Sequence, residues 1–322
     1  MKFLLAPLAD FTDAPFRLMC ELGGADGTYT EMVSAAALYH GHAKTDILLE
    51  TLPQEKSVAC QIFGAKEEEV ALAVAKIDAL GRFAEINLNA GCPMNKVTRS
   101  GSGAKLVEDP AKIYSLLRAM KENTSAKITL KTRLGPNPDR INAFEIISAA
   151  ESAGASEVAF HARFTSQMHG GPLHLDILAE AVERSKLPII GNGSISDLKT
   201  LRAFEKTGVK GVMIGRAAMS KPWIFSELKK TPSLLPADGA ECCRLHLEKI
   251  AEHQRNLAAK YRFALSLDAY SSVKMHTHLF RYFNGRPGSA SLRARLNKVR
   301  TLTDIDREIS MFETQFCEGP VG

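Results

Sequence analysis

No stretch of this 322-residue chain approaches the roughly 18 consecutive apolar residues that a spanning helix needs, which excludes helical membrane spans. The opening MKFLLAPLAD has one lysine, a very short apolar run and no cleavage site, so the expectation is an unprocessed protein of the cytoplasm. Cysteine is sparse and scattered. Cys20, Cys60, Cys92, Cys242, Cys243 and Cys317 include no CxxC and no Cys/His ligand spacing, which argues against a disulfide framework and against a metal centre. The glycine fingerprint of a dinucleotide-binding turn is missing after the first apolar run. With 45% hydrophobic and 24% charged residues, the composition excludes disorder and fibre and leaves an ordinary globular protein.

Net charge is only +5, yet its distribution is uneven. Residues 244 to 300 hold twelve Lys/Arg against three acidic residues, with four histidines besides. A field of that sign suits a polyanion partner, and a solvated helical face is the plainer alternative.

Short β-rich apolar runs recur along the first 230 residues: Phe3 to Ala6, Gly27 to Thr30, Val58 to Phe63, Ala84 to Leu88, Lys127 to Thr132, Glu157 to His161, Pro188 to Gly191 and Gly211 to Ile214. Between them lie amphipathic stretches, among them Glu67 to Leu80, Ala111 to Lys121, Ala143 to Ala153 and Leu198 to Thr207. Eight strand–helix units of this size predict an α/β fold, a (β/α)8 TIM barrel, with an open doubly wound sheet as the alternative. TPSLLPADG then reads as a linker over 231–238, and residues 239–322 show helical periodicity alone: Cys243 to Leu257, Ser266 to Phe283, Ala290 to Val299, and Asp304 to Phe316 with Asp304 as a candidate N-cap. The expected organisation is a barrel over 1–230 followed by a small basic helical domain.

In such a barrel the chemistry belongs to the C-terminal ends of the strands. Gly191 to Ser194 and Ile214 to Arg216 follow the seventh and eighth runs, where glycines at a strand-to-helix turn present N–H groups to a phosphate. Tight βα turns are the plainer reading. Lys131 and His161 end the fifth and sixth runs and Gln61 the third. A lysine beside the N1/O2 edge of a flavin would stabilise the reduced ring, and Gln61 could bond its other polar edge. Each residue alone could simply line the barrel end. Asn87-Leu-Asn-Ala-Gly-Cys-Pro is the most specific feature: Gly91 and Pro93 fix a turn around Cys92, with Lys96, Arg99 and a Ser100-Gly-Ser-Gly loop, expected to be mobile, just beyond. A cysteine on a rigid turn can act as acid or nucleophile, although most cysteines are merely buried.

Taken together, Ala6-Pro-Leu-Ala-Asp-Phe-Thr-Asp, Glu31-Met, Gln61-Ile-Phe-Gly, Asn89-Ala-Gly-Cys-Pro, Lys131-Thr-Arg-Leu-Gly, His161-Ala-Arg with Gln167, Gly191-Asn-Gly and Ile214-Gly-Arg-Ala resemble, in order and spacing, the tRNA-dihydrouridine synthase family. The tail segment His278-Leu-Phe-Arg-Tyr-Phe-Asn-Gly-Arg-Pro-Gly resembles that family's helical RNA-binding domain. The resemblance implies a flavin enzyme that reduces uridine in tRNA, with FMN as cofactor and NADPH, or NADH, as reductant. It implies that Pro7, Leu8 and Ala9 contact the flavin, that Gln61, Lys131 and His161 hold its ring and ribityl edge, and that Asn192, Gly193, Ser194, Gly215 and Arg216 take its phosphate. Cys92 would be the general acid at uracil C5, and Asn89 and Arg163, with Lys96 and Arg99 beyond the turn, would hold the substrate. The family often has Gly where Asp10 stands, Asp where Asn87 stands, Thr where Phe164 stands and an acidic residue where Ser194 stands. A monomer is expected, with tRNA as partner and neither membrane nor metal. The rival implied chemistry is a flavin barrel acting on a free pyrimidine, of dihydroorotate or dihydropyrimidine dehydrogenase type.

Overall fold

The computed structural model describes residues 1–236, 239–262 and 264–317, the side chains of 315–317 excepted. Its strands are β1 (Lys2–Leu5), β2 (Thr28–Tyr29), β3 (Val33–Ser34), β4 (Val58–Phe63), β5 (Glu85–Ala90), β6 (Lys127–Arg133), β7 (Glu157–His161), β8 (Ile189–Asn192) and β9 (Gly211–Ile214). All pair in parallel, in the order β1-β9-β8-β7-β6-β5-β4-β2, with β3 as a two-residue addition to β4. A parallel bridge between Leu4 and Gly27, just before β2, closes the ring. Eight strands thus make the TIM barrel, as expected.

Alternation along each strand decides what faces the axis. Phe3 and Leu5 of β1, Val158 and Phe160 of β7, and Val212 and Ile214 of β9 pack outward into the main core with the helices. Leu4, Ala6, Tyr29, Ala59, Ala159, Ile190 and Met213 form the inner layer. The outer helices are α1 (Ala14–Leu22), α2 (Ala35–Tyr39), α3 (Glu67–Asp78), α4 (Asn95–Thr98), α5 (Pro110–Lys121), α6 (Ala143–Ala153), α7 (Leu175–Arg184), α8 (Leu198–Glu205) and α9 (Ile224–Lys229). Pro110 at the first position and Asp109 accepting from Lys112 N begin α5, and Gly154 in the left-handed region ends α6.

Residues 231–236 of the predicted linker are described and Ala237 and Asp238 are not. Leu234 N donates to Leu22 O at 3.0 Å, and Leu235 is buried in a second core, so the segment is anchored to the barrel. The tail folds as α10 (Gly239–Lys260), α11 (Leu267–Thr277), α12 (Ser289–Leu296) and α13 (Leu302–Cys317), with a 3-10 turn at Leu279–Phe283. The single helix predicted over 266–283 is therefore two elements. Asp304 lies in the first turn of α13 rather than at its cap: its N–H donates to Thr301 Oγ1 at 3.2 Å while Thr301 Oγ1 donates back to its carboxylate.

The tail core, with Leu247, Ile250, Phe283, Leu296 and Ile309, includes Met19 of α1, and Leu22 and Trp223 pack on it. The junction has a polar centre. Asp13, which caps α1 by accepting from Phe16 N, also receives Lys274 Nζ at 2.7 Å and faces His278 Nε2 at 3.3 Å. Burial alone would raise the Asp13 carboxyl, but Lys274 and His278 hold it well below the usual carboxylate range. No helix among the described residues is long and apolar enough to cross a membrane.

Candidate functional site

Strand alternation that turns Leu4, Ala59 and Ala159 inward also turns Ala6, Asn89, Lys131, His161 and Asn192 inward at the C-terminal ends of their strands. They line a cavity of about 720 Å3 with the turns that follow. Pro7, Leu8 and Ala9, Cys92, Gly193 and Ser194, and Gly215 and Arg216 are all in its wall. Among the described residues no Asp or Glu lines it, whereas Lys131, Arg133 and Arg216 do. Burial, with Arg133 nearby, brings Lys131 down to about 8, and Arg133 itself falls to about 10 through burial. Such a site favours an anion.

The cations converge. Arg163 is buried behind the wall and sends Nη2 to Ser194 Oγ at 3.1 Å, while Arg216 Nη2 approaches the same oxygen at 3.5 Å. Two guanidinium groups thus share one neutral hydroxyl, and burial together with Arg216 lowers the Arg163 pKa. Ser194 stands at φ +49 and Gly193 at φ +138; a Cβ on Gly193 would lie 2.7 Å from Leu173 Cδ2 and 3.2 Å from His161 Cδ2. Burial first, and then Lys131, Arg133 and Arg163, push the His161 pKa far down, so its ring is neutral and Nε2 faces Arg163 Nη1 at 3.2 Å. Lys131 Nζ donates to Asn192 Oδ1 at 3.2 Å.

The helix expected to point its N-terminus at a phosphate does not open on these glycines. α8 starts only at Leu198 and is closed by its own Asp197, which accepts from Thr200 N, and Arg216 begins a four-residue 3-10 turn. What the loops offer is their own backbone and the two arginines.

Cys92 is held from three sides. Asn89 Oδ1 accepts from Gly91 N and Cys92 N at 3.1 and 3.0 Å, Arg133 Nε donates to Gly91 O at 2.8 Å, and Ala104 N donates to Cys92 O at 2.9 Å. The Ser100–Gly103 loop is a packed support rather than a mobile flap. Ser102 is buried, Ser100 Oγ bonds Val97 O at 2.7 Å, and Gly103, at φ +61, leaves 2.7 Å between a notional Cβ and Cys92 O. Cys92 lies near enough to Lys131 and Arg133 for a charge on its sulfur to act on both.

Gln61 does not reach the cavity. It is fully buried one layer down, its Oε1 accepting from Asn89 Nδ2 at 2.9 Å and its Nε2 donating to Asn87 Oδ1 at 2.7 Å. The chain continues through Thr129 to Glu85, which also accepts from Tyr29 Oη, so a hydrogen-bonded column fills the barrel from floor to base. With both Gln61 amide atoms taken, contact with a ring in the cavity passes through Asn89. Asn89 in turn has its oxygen committed to the Cys92 turn. Lys96 and Arg99 stand exposed on and just after α4, outside the cavity wall.

Several lining residues are not singled out as site residues by the sequence, Met32 entering only as part of Glu31-Met. His169 sits on the loop after β7, stacked on His161 at 6.1 Å between centroids, next to Met168 at φ +52. Met32, Met94, Met213 and Met219 give the cavity an apolar, polarizable wall. The strand-end rule finds Met213 by parity, and nothing marks His169.

A metal is a poorer fit. Among the described residues the one close group of potential ligands is Asp13, His246 and His278, with ligand atoms within 4.8 Å. The Lys274 ammonium on Asp13 Oδ2 already balances that carboxylate, so a divalent ion would add uncompensated buried charge.

The dihydrouridine synthase family profile matches residues 4–316. The chain belongs to that family. A probable tRNA-dihydrouridine synthase of Helicobacter pylori (strain ATCC 700392 / 26695) is 36% identical over 307 residues, covering 94% of this chain and 88% of the relative. The tRNA-dihydrouridine synthase B of Pseudomonas putida is 32% identical over 305 residues, covering 92% and 87%. Among solved structures, morphinone reductase in complex with tetrahydroNAD is similar in fold, with a TM-score of 0.51 at 12% identity over 71% of this chain and 86% of that one.

Proposed function

We propose that this protein is a tRNA-dihydrouridine synthase of the cytoplasm: it reduces the C5–C6 double bond of uridine in tRNA, with FMN in the cavity, NADPH or NADH as reductant, and Cys92 as the general acid. The observation that carries this reading is the acid-free cavity, with paired arginines at one end and a braced cysteine in its wall, in a chain of this family.

The residues present fit FMN. Arg163 and Arg216, sharing one hydroxyl between them, suit a phosphate with Gly193, Ser194 and Gly215. Lys131 suits the edge of the ring where negative charge develops, His161 the ribityl edge, and Pro7, Leu8 and Ala9 its backbone contacts, while Asn192, expected at the phosphate, has its amide engaged by Lys131 and Met213 O. When bound, FMN would supply the hydride that reaches uracil C6.

Hydride addition at C6 leaves enolate charge over C5 and O4, and completion needs a proton at C5. The Cys92 thiol gives that proton, and the thiolate left behind faces Lys131 and Arg133. Asn89 fixes the turn that aims the thiol, and Arg163 holds the phosphate end rather than the base. Lys96 and Arg99 lie outside the wall, where they suit the RNA backbone. A nucleotide in folded tRNA must be turned out to reach this depth, at a cost of a few kcal/mol.

The organisation follows the same reading: residues 1–230 are the catalytic barrel, 231–238 the linker and 239–322 the tRNA-binding domain, acting as a monomer. Arg244, Lys249, Lys260, Lys274 and Arg295 are spent in ion pairs with carboxylates. Among the described residues Arg255, Arg262, Arg281, Arg293, Lys298 and Arg300 form no ion pair with a carboxylate, although Arg255 acts on Glu252 from a distance, and they are the cations left for phosphates. The test is incubation of purified protein with NADPH and unmodified tRNA transcript, followed by nucleoside analysis. Dihydrouridine in the digest supports the reading; turnover of free uracil or dihydroorotate with none in tRNA overturns it.

A further inference from the structure

Among the described residues, one of these six tail cations packs on a side chain that lines the cavity. Arg281 Cζ lies 4.9 Å from the centroid of Phe11, and Phe11 lines the cavity wall. Arg281 Nε donates to Thr277 O at 3.3 Å, and among the described residues its two terminal nitrogens make no hydrogen bond or ion pair. Arg281 is half-buried, its guanidinium held by the Phe11 ring and the Thr277 carbonyl. Among the described residues, none of the other five makes a hydrogen bond, ion pair or ring contact with a cavity-lining residue.

The position is also fixed from below. His278 packs edge-on against Phe11 at 5.2 Å and faces Asp13, which Lys274 pairs. The loop that forms the cavity's first wall is thus gripped by α11 and the 3-10 turn after it, and Arg281 projects from that turn.

We propose that Arg281 is a positioning residue that grips a backbone phosphate of the RNA beside the nucleotide entering the cavity. The inference rests on the functional reading above and adds to it a tail residue that couples RNA binding to the site. A nucleotide turned into the cavity brings its own 5′ and 3′ phosphates to the rim. Arg133 and Arg163 are buried, Lys131 is half-buried against Asn192, and Arg216, although exposed, turns to Ser194, so the rim phosphate on the Phe11 side needs a cation of its own. A guanidinium with both terminal nitrogens open offers the planar fork that matches two phosphate oxygens, and its seat on Phe11 reduces the rotamer freedom lost on binding. A lysine there would keep the charge without the fork.

The experiment compares wild type, Arg281→Met and Arg281→Lys holoenzyme on tRNA transcript. Arg281→Met should raise the KM for tRNA roughly tenfold and reduce the slope of log affinity against log salt by about 0.7–1, the loss of one phosphate contact. Arg281→Lys should restore the slope but only part of the KM. Flavin content, melting temperature and NADPH-driven bleaching without tRNA should match wild type in both variants. Unchanged tRNA KM and salt slope in Arg281→Met, with active wild type, overturn the Arg281 assignment alone. Wild type that forms no dihydrouridine overturns the functional reading and this inference with it. A folding defect in Arg281→Met leaves Arg281→Lys to decide: an unchanged KM there contradicts the fork.

Discussion

Lys131→Met should strengthen the empty protein while weakening its hold on the cofactor. Burial and the nearby Arg133 bring Lys131 from 10.5 to about 8. At about 1.36 kcal/mol per pH unit that gap is worth about 3 kcal/mol, and solvent at this half-buried site reduces it to about 2. Between pH 8 and 10.5 the unfolded chain binds more protons at this position than the folded one, so stability rises with pH across that window, and the penalty is fully present below it. In the variant the penalty is gone. Flavin-free Lys131→Met should melt about 3 °C above wild type at pH 7, less what the lost bond to Asn192 costs, and should lose the wild-type rise between pH 8 and 10. Its flavin affinity, followed by quenching of FMN fluorescence, should fall at least tenfold. A variant that melts lower at pH 7, keeps the rise and binds FMN as wild type does would refute both the placement of this charge and its role.

Cys92→Ala should retain FMN and tRNA binding and bleach with NADPH, yet form dihydrouridine at least about 100-fold more slowly in single-turnover assays; wild-type rates would remove the thiol from the mechanism. Gly193→Ala forces a side chain to φ +138 and against Leu173 and His161, so flavin retention on gel filtration should drop along with about 1–3 kcal/mol of stability, and undisturbed retention would contradict the tight fit. Arg17 and Glu55 pair at 2.7 Å with each side chain 1% exposed; Glu55→Gln strands the arginine, and urea unfolding should show a loss of about 3–5 kcal/mol, against which a loss under 1 would count.

The barrel was readable because its strands are buried runs with inward parity. Val58–Phe63, Glu157–His161, Gly211–Ile214 and the helix Ala143–Ala153 have the expected bounds, since turn residues flank apolar stretches of fixed period. β3 is two residues long, too short to show a period. The break near His278 was hidden because α11 and the following 3-10 turn bury residues of one continuous apolar pattern, while the side chain that marks the break points at Asp13, 265 positions away in sequence. Parity placed Gln61 and Asn89 inside the barrel but not their depth. Depth depends on cross-strand register, which puts Gln61 level with Asn87 and Asn89 level with Lys131. The tail's charge was legible only as a total: Glu50 takes up Lys260, Glu308 pairs Arg295, and Asp306 and Glu313 pair Arg244, all across long sequence separations.

The reading is tested most directly by mass spectrometry of single uridines in tRNA transcript after reaction with the purified protein and NADPH, with Cys92→Ala alongside. Wild type should add two hydrogens to a defined uridine and Cys92→Ala should leave it unchanged while its flavin still bleaches. Equal reduction by both proteins, or bleaching with no uridine reduced by either, would contradict it.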